Sequence, residues 1–235
     1  MQRIRPWLAR AAGLLLAIAL ATLMLASLID GLGTSPALML SIMRRVAPAE
    51  TTGLPEAEYP GMARMITAYL AGATDTFQYS GTDADGVTYL AFRENEQQHM
   101  ADCRALFTLD RAVMAASTLL LIPLGWAAWA LRPARAWTAA GFLDGCAAAL
   151  LTIMGLTVWG IADFSSLFVL FHRLSFDNGL WLLNPQTDLL IRLMPMPLFI
   201  SYGAILGGTW LGALLVMGGG AWYLKRRWKT NEVKT

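Results

Sequence analysis

The sequence predicts an all-α integral membrane protein: a bundle of four transmembrane helices with a small extracytoplasmic domain between helices 1 and 2, helical with one β-hairpin. Three observations carry that expectation. Of the 235 residues, 56% are hydrophobic and only 14% charged, against roughly 25% charged in a soluble domain. Four apolar runs are each long enough to cross a hydrocarbon core of about 30 Å, for which a helix needs about 20 residues. Lys and Arg gather at alternate flanks of those runs, as cytoplasmic retention of positive charge requires.

The runs lie near 7–29, 112–131, 137–161 and 198–224. The first follows Arg3, Arg5 and Arg10 as a signal peptide would, but its core runs from Ala11 to Ile29, longer than a signal's apolar region, and no clear A-x-A site follows. A retained first helix is therefore expected. Arg132 and Arg135 mark the turn after helix 2, and Lys225, Arg226, Arg227, Lys229 and Lys234 mark the tail. With an even number of helices these basic flanks share one side, the cytoplasm, with both termini. Residues 30–111 show the opposite balance, 11 acidic against 6 basic. Trp7, Trp137, Trp222, Tyr223 and Trp228 fall near the cytoplasmic ends, where amphipathic rings suit the headgroup layer. A net charge of +2, confined to membrane edges, excludes a nucleic-acid partner.

The chain thus divides into 1–29, the N-terminus with helix 1; 30–111, an outer domain; 112–161, helices 2 and 3 with a cytoplasmic turn; 162–197, a second outer segment at the interface; and 198–235, helix 4 with a basic tail. In the outer domain, Ala37–Val46 and Met62–Ala71 read as amphipathic helices, the first after a Ser35-Pro36 cap and first-turn pair. Phe77–Ser80 and Val87–Phe92 flank a turn-like stretch, Gly81-Thr82-Asp83-Ala84-Asp85-Gly86, and read as a hairpin. From Arg93 to Phe107 the composition favours a helix leading into helix 2.

Pairs of glycines at a spacing of four, Gly141/Gly145, Gly203/Gly207 and Gly208/Gly212, suit close helix packing in lipid, with ordinary packing favoured over a dedicated dimer face. Asp144 is the one acid deep in an apolar run; a functional carboxylate is one reading, and a hydrogen-bonded group near the cytoplasmic interface is the favoured one. Cys103 lies in a polar segment and Cys146 in an apolar run, so a disulfide between them is not expected.

The chain has two histidines, His99 and His172, and the topology puts both outside. Imidazole exchanges protons near neutral pH better than any other side chain. His99 lies in Glu96-x-x-His99-x-x-Asp102, a helical spacing that lets a carboxylate fix a ring tautomer. His172 lies in Phe171-His172-Arg173, past the outer end of helix 3. A lone interfacial histidine is more often a surface residue than a catalyst. A metal site from His99, His172, Glu96 and Asp102 is a minor reading, since no H-E-x-x-H or paired-cysteine pattern accompanies them; no metal and no cofactor are expected. Cys103, four residues from His99, is a further nucleophile candidate.

The stretch from Phe171 to Asp188, followed by Leu190-Ile191-Arg192-Leu193-Met194-Pro195-x-Pro197-Leu198-Phe199, resembles the signature of a family of bacterial four-helix membrane proteins, the lipoprotein intramolecular transacylases. Glu96, His99 and Asp102 ahead of Phe107 resemble that family's upstream motif, so two separated motifs match in order. The resemblance implies an acyltransferase of the bacterial plasma membrane. It would move the sn-2 acyl chain of a lipoprotein's diacylglyceryl group to the α-amino group of the N-terminal cysteine, leaving the lyso form. Its partners would be that lipoprotein and membrane lipid. The family's essential histidines fall on His99 and His172, while Cys103 stands where the family has an apolar residue, which counts against a cysteine nucleophile.

On that reading His172 takes the amine's proton and His99, oriented by Asp102, serves the departing glycerol oxygen. Arg173 or Asn178 is expected to stabilise the oxyanion; Trp181 and Phe176 border the acyl chains or anchor the segment at the interface. The rival readings are a non-catalytic member of the same family that binds a lipid or protein partner, and a metal-dependent membrane hydrolase.

Overall fold

A computed structural model describes residues 6–82 and 88–232. The elements run α1 (Pro6–Gly33), α2 (Pro36–Val46), α3 (Ala49–Thr52), a 3-10 turn at Glu56–Glu58, α4 (Tyr59–Ala71), β1 (Ser80–Thr82), β2 (Thr88–Leu90), α5 (Glu94–Ala130), a 3-10 turn at Arg132–Ala134, α6 (Arg135–Ser175), α7 (Leu189–Leu193) and α8 (Met196–Glu232). Among the described residues, α1, α5, α6 and α8 are the four helices long and apolar enough to cross a membrane. The Ser35 side chain caps α2 by accepting from the Leu38 N–H. Tyr59-Pro60 opens α4 three residues ahead of the expected start. The expected hairpin is only a pair of three-residue antiparallel strands, with Ser80 opposite Leu90; residues 83–87 of its turn lie outside the described residues, as do Arg3, Arg5 and Lys234.

The residues divide into two compact units. One gathers the chain up to Ser27, Arg111–Ala162 and the chain from Leu206 onward. Its exterior is apolar: Leu119, Ile122, Leu151, Val158 and Val216 are all exposed, as side chains facing lipid are. The most buried span is α1, with 33% of its apolar window covered, against 6–11% in the other three. Small residues allow this, since Ala9, Ala12, Gly13, Ala17, Ala19, Ala21 and Ala26 form its buried face. A Cβ built on Gly13 would lie 1.9 Å from the Thr138 carbonyl oxygen, and one on Gly141 would lie 1.8 Å from that of Arg10. Backbones of α1 and α6 therefore touch where side chains would normally intervene. At Gly203, Gly208 and Gly212, by contrast, an added Cβ meets no atom within 4 Å. Beside the close approach, Arg10 Nε donates to Asp144 Oδ2 at 2.6 Å, so the one deep acid is paired with a cation of the neighbouring helix. Trp210 Nε1 adds a donation to the Ala21 carbonyl at 3.0 Å.

The second unit comprises Leu28–Asp110 and Asp163–Ile205. Its core is built from Met39, Ile42 and Met43 of α2, Tyr59, Met62 and Ile66 of α4, Leu193 of α7 and Leu198 of α8, all buried. Tyr69, Phe77 and Phe92 stack at 5.2 and 4.6 Å between ring centres and close it on the side of the strands. Cys103 and Cys146 are free thiols.

Gly141→Ala should destabilise the detergent-purified protein by the ~1–3 kcal/mol typical of overpacking, read as a lower thermal unfolding midpoint. Gly212→Ala should leave it unchanged, and equal midpoints for the two variants would contradict the α1–α6 contact.

Candidate active site

Both histidines belong to the second unit, and each is carried by a helix whose start is fixed by a carboxylate. At the N-terminus of α5, Glu96 Oε2 accepts from the Arg93 N–H at 2.7 Å, the return half of a capping box. Its other oxygen accepts from the Leu190 N–H at 2.6 Å. A single buried side chain thus ties α5 to the segment that enters α7. His99 follows one turn later and is 8% exposed.

The second imidazole depends on a bend. Helix α6 breaks at Asp163, whose φ of −157° and ψ of 85° are extended backbone. Asp163 Oδ1 then accepts from the Ser166 N–H at 3.0 Å and starts a fresh helical run. His172 near the end of that run is 6% exposed.

The two rings lie 6.2 Å apart between centroids with 25° between their planes. Phe176 touches both, at 5.3 Å from His99 and 5.6 Å from His172. Phe168 at 4.0 Å, Trp181 at 5.0 Å and Phe171 at 5.4 Å complete an aromatic box around His172. Walls of this kind offer little to a charged ring.

The hydrogen bonds of the two rings differ. His172 Nδ1 lies 2.7 Å from the Phe168 carbonyl oxygen. A carbonyl can only accept, so Nδ1 carries the hydrogen and Nε2 presents a lone pair. His99 Nε2 lies 3.6 Å from Cys103 Sγ, and His99 Nδ1 is buried with no hydrogen-bond partner. A buried polar atom left unpaired is unfavourable by about 1–3 kcal/mol.

Helix α5 has 37 residues, roughly 55 Å in length, far more than the ~30 Å hydrocarbon core. His99 therefore sits beyond the apolar stretch that spans it, and His172 lies beyond the bend in α6. Burial, helped by the neighbouring His172, pushes His99 down from 6.5 to about 4, with Asp102 opposing weakly. Burial also lowers His172, against the Phe168 bond that favours its cation. Both imidazoles are neutral at neutral pH. Cys103 moves the other way: burial raises its thiol to about 12, so it stays protonated and makes a poor nucleophile.

The other residues singled out by sequence have varied places. Asp102 does not hold His99 as expected; its Oδ2 accepts from Asn178 Nδ2 at 2.9 Å, and it acts on the ring through its charge alone. Asn178 is exposed and its Oδ1 accepts from the Leu180 N–H at 2.9 Å, forming a local turn. Arg173 is exposed. Trp181 packs on His172, and both oxygens of Glu96 are engaged by backbone amides. Sequence reasoning missed Asp188, which is 4% exposed and accepts from the Asn184 N–H, Asn95 Nδ2 and Thr187 Oγ1. It also missed the carbonyl of Phe168, although the i, i−4 spacing from His172 was visible. Among the described residues no three His, Cys, Asp or Glu side chains group as a metal site would need.

Four helices long and apolar enough to cross a membrane mark a polytopic membrane protein, and its second unit carries a pair of neutral, buried imidazoles. A family model described as lipoprotein intramolecular transacylase Lit matches residues 13–199, a range that contains both histidines and the whole motif segment. The chain belongs to this family of membrane acyltransferases. Its fold is similar to the in meso structure of the membrane integral transacylase Lit from Bacillus cereus, with a TM-score of 0.76 at 17% identity, covering 96% of this chain and 100% of that one. Two further structures of the Bacillus cereus protein, in which a histidine is replaced by arginine or alanine, match with TM-scores of 0.71 at 16% identity. They cover 95% and 94% of this chain, and 94% and 96% of their own. No curated protein matches in sequence.

Glu96→Ala should strand the Arg93 and Leu190 amides and lower stability by on the order of 2–5 kcal/mol. A thermal midpoint equal to that of the unchanged protein would remove Glu96 from its anchoring role.

Proposed function

We propose that the chain transfers the sn-2 acyl chain of a diacylglyceryl-modified lipoprotein to the α-amino group of the lipoprotein's own N-terminal cysteine, at the extracytoplasmic face of the bacterial plasma membrane, with both termini in the cytoplasm. The observation that carries this reading is the facing pair of buried imidazoles, one with its Nε2 lone pair held free by the Phe168 carbonyl. Family membership supports the class of reaction. The basic flanks of the spans, opposed to the acidic 30–111 region, support the orientation.

An α-amine has a reference pKa near 8 and is mostly protonated at pH 7, so the nucleophile is the minor free base, its ammonium proton having passed to solvent. In the proposed sequence His172 Nε2 accepts a proton from this neutral amine as its nitrogen bonds to the ester carbonyl carbon. The protonated Cys103 thiol donates to His99 Nε2, which leaves the ring hydrogen on Nδ1, the buried atom with no protein partner. That N–H hydrogen-bonds the departing glycerol oxygen and delivers a proton to it as the carbon–oxygen bond breaks. One proton leaves the amine and one reaches the glycerol, and the two imidazoles exchange the difference before the next turnover. Asn178, tethered to Asp102 on the rim, and exposed Arg173 are the donors available to the oxyanion. Phe176 and Trp181 give the acyl chain an apolar bed against the rings. Because ester and amine belong to one molecule, holding them together makes the attack unimolecular, and placement contributes alongside proton transfer.

His172→Ala and His99→Ala should each accumulate in the membrane and convert substrate about 10²- to 10⁴-fold more slowly, as read by mass spectrometry of the lipopeptide. Undiminished conversion by either variant would remove that histidine. With the unchanged protein, the logarithm of the rate should fall with a slope of about one below the amine pKa. It should not steepen at 6.5, because both rings titrate below that value. A second break at 6.5 would mean a base with ordinary solvation, against the buried pair.

A further inference from the structure

Some distance from the histidines, within the same unit, a cavity of about 450 Å³ is lined by Arg93 and Arg192 together with Leu54, Leu90, Thr187 and Leu189. Among the described residues neither guanidinium is in an ion pair, unlike Arg10, which pairs with Asp144, and Arg104, which pairs with Asp75. Arg192 Nε donates to the Asp188 carbonyl at 3.3 Å, which leaves its terminal nitrogens free of that bond. The Asp188 carboxylate makes no ion pair with either guanidinium; its oxygens accept from Asn184, Asn95 and Thr187. Gly53, with a φ of +73°, lies beside the Arg192 head, its Cβ position 3.9 Å from Nη1. Two unpaired cations with an adjacent apolar surface, including Leu90 at 68% exposure, suit an acidic side chain flanked by apolar ones. Guanidinium takes carboxylate in paired, charge-assisted hydrogen bonds.

We propose that this cavity binds an acidic side chain in the first few residues after the acylated cysteine of the lipoprotein substrate. The proposal rests on the transacylase reading above. Arg93 precedes His99 by six positions on α5, roughly 9 Å along the helix, and at the end remote from its apolar stretch. An extended peptide advances about 3.3 Å per residue, so a chain leaving the histidine pair away from the bilayer reaches the arginines within about three residues. A phospholipid headgroup fits less well, because it sits at the depth of the reacting glycerol, nearer the histidines than the arginines.

The test uses the full chain in nanodiscs of zwitterionic phospholipid and short diacylglyceryl-cysteine peptides that differ only in Asp, Asn or Lys at the second to fifth positions. The expected result is kcat/KM about tenfold higher for Asp than for Asn at the third or fourth position, about the worth of one charge-assisted hydrogen bond, with Lys below Asn. In Arg93→Gln and in Arg192→Gln the Asp-to-Asn ratio should fall towards one; taken on a single enzyme preparation, that ratio does not depend on how much of it folds. Equal conversion of all peptides by the unchanged chain would overturn the proposal while leaving the transacylase reading standing. So would a preference that persists in both variants, or rates that follow added phosphatidylglycerol and ignore peptide charge. No conversion of any peptide would sink both.

Discussion

Keeping two imidazoles neutral beside one another is the constraint around which the second unit is arranged. Water would favour the cations, and the aromatic walls from Phe168, Phe171, Phe176 and Trp181 withhold it. Charge on His172 disfavours charge on His99 as well, since a second positive charge some 6.2 Å away in an apolar box is poorly screened. At His99 burial and this repulsion act in the same direction. Both rings are thus held in the form that can accept a proton, and the local hydrogen bonds decide which nitrogen does so.

Such an arrangement must be held by groups other than the histidines, because a ring with one bond to protein cannot fix its own position. Two carboxylates do this from a distance. Glu96 bonds both the start of its own helix and the Leu190 amide, which fastens the α7 segment to α5. Asp163 begins the helical run that carries His172. Neither carboxylate is bonded to the imidazoles, so both serve the backbone. The exposed face of the motif segment uses Asn178 and Asn184 to hold turns, with the Leu180 and Gln186 amides bonded to their side-chain oxygens.

In the spanning unit the controlling fact is the small size of α1 side chains. Alanine and glycine on one face let α6 approach until Gly141 and the Arg10 carbonyl are in contact, and the same approach brings Arg10 onto Asp144. A carboxylate in an apolar run, which is unfavourable facing lipid, is thereby paired with a cation of the neighbouring helix. The glycines of α8 do not share this use: Gly203 and Gly212 face open space, although their spacing in sequence is the same as that of Gly141 and Gly145.

That contrast separates what was legible in the sequence from what was not. The four spans, the amphipathic α2 and α4 and the capping of α2 by Ser35 were all readable, because hydropathy, periodicity and residue chemistry are properties of short stretches; that His99 and His172 face one another was not. Glu96 and Asp102 were both readable as candidate partners of His99, yet only their local geometry decides that one bonds backbone and the other Asn178. The Phe168 carbonyl that sets the His172 tautomer, the three donors on Asp188 and the pairing of Asp144 with Arg10 depend on contacts between distant parts of the chain or on rotamer choice. The sequence by itself determined which groups are present and which stretches prefer lipid. Tertiary structure alone decided which nitrogen is free, which acid is structural and that both rings are neutral, since burial and hydrogen-bond partners set those and neither is encoded in any local run of residues.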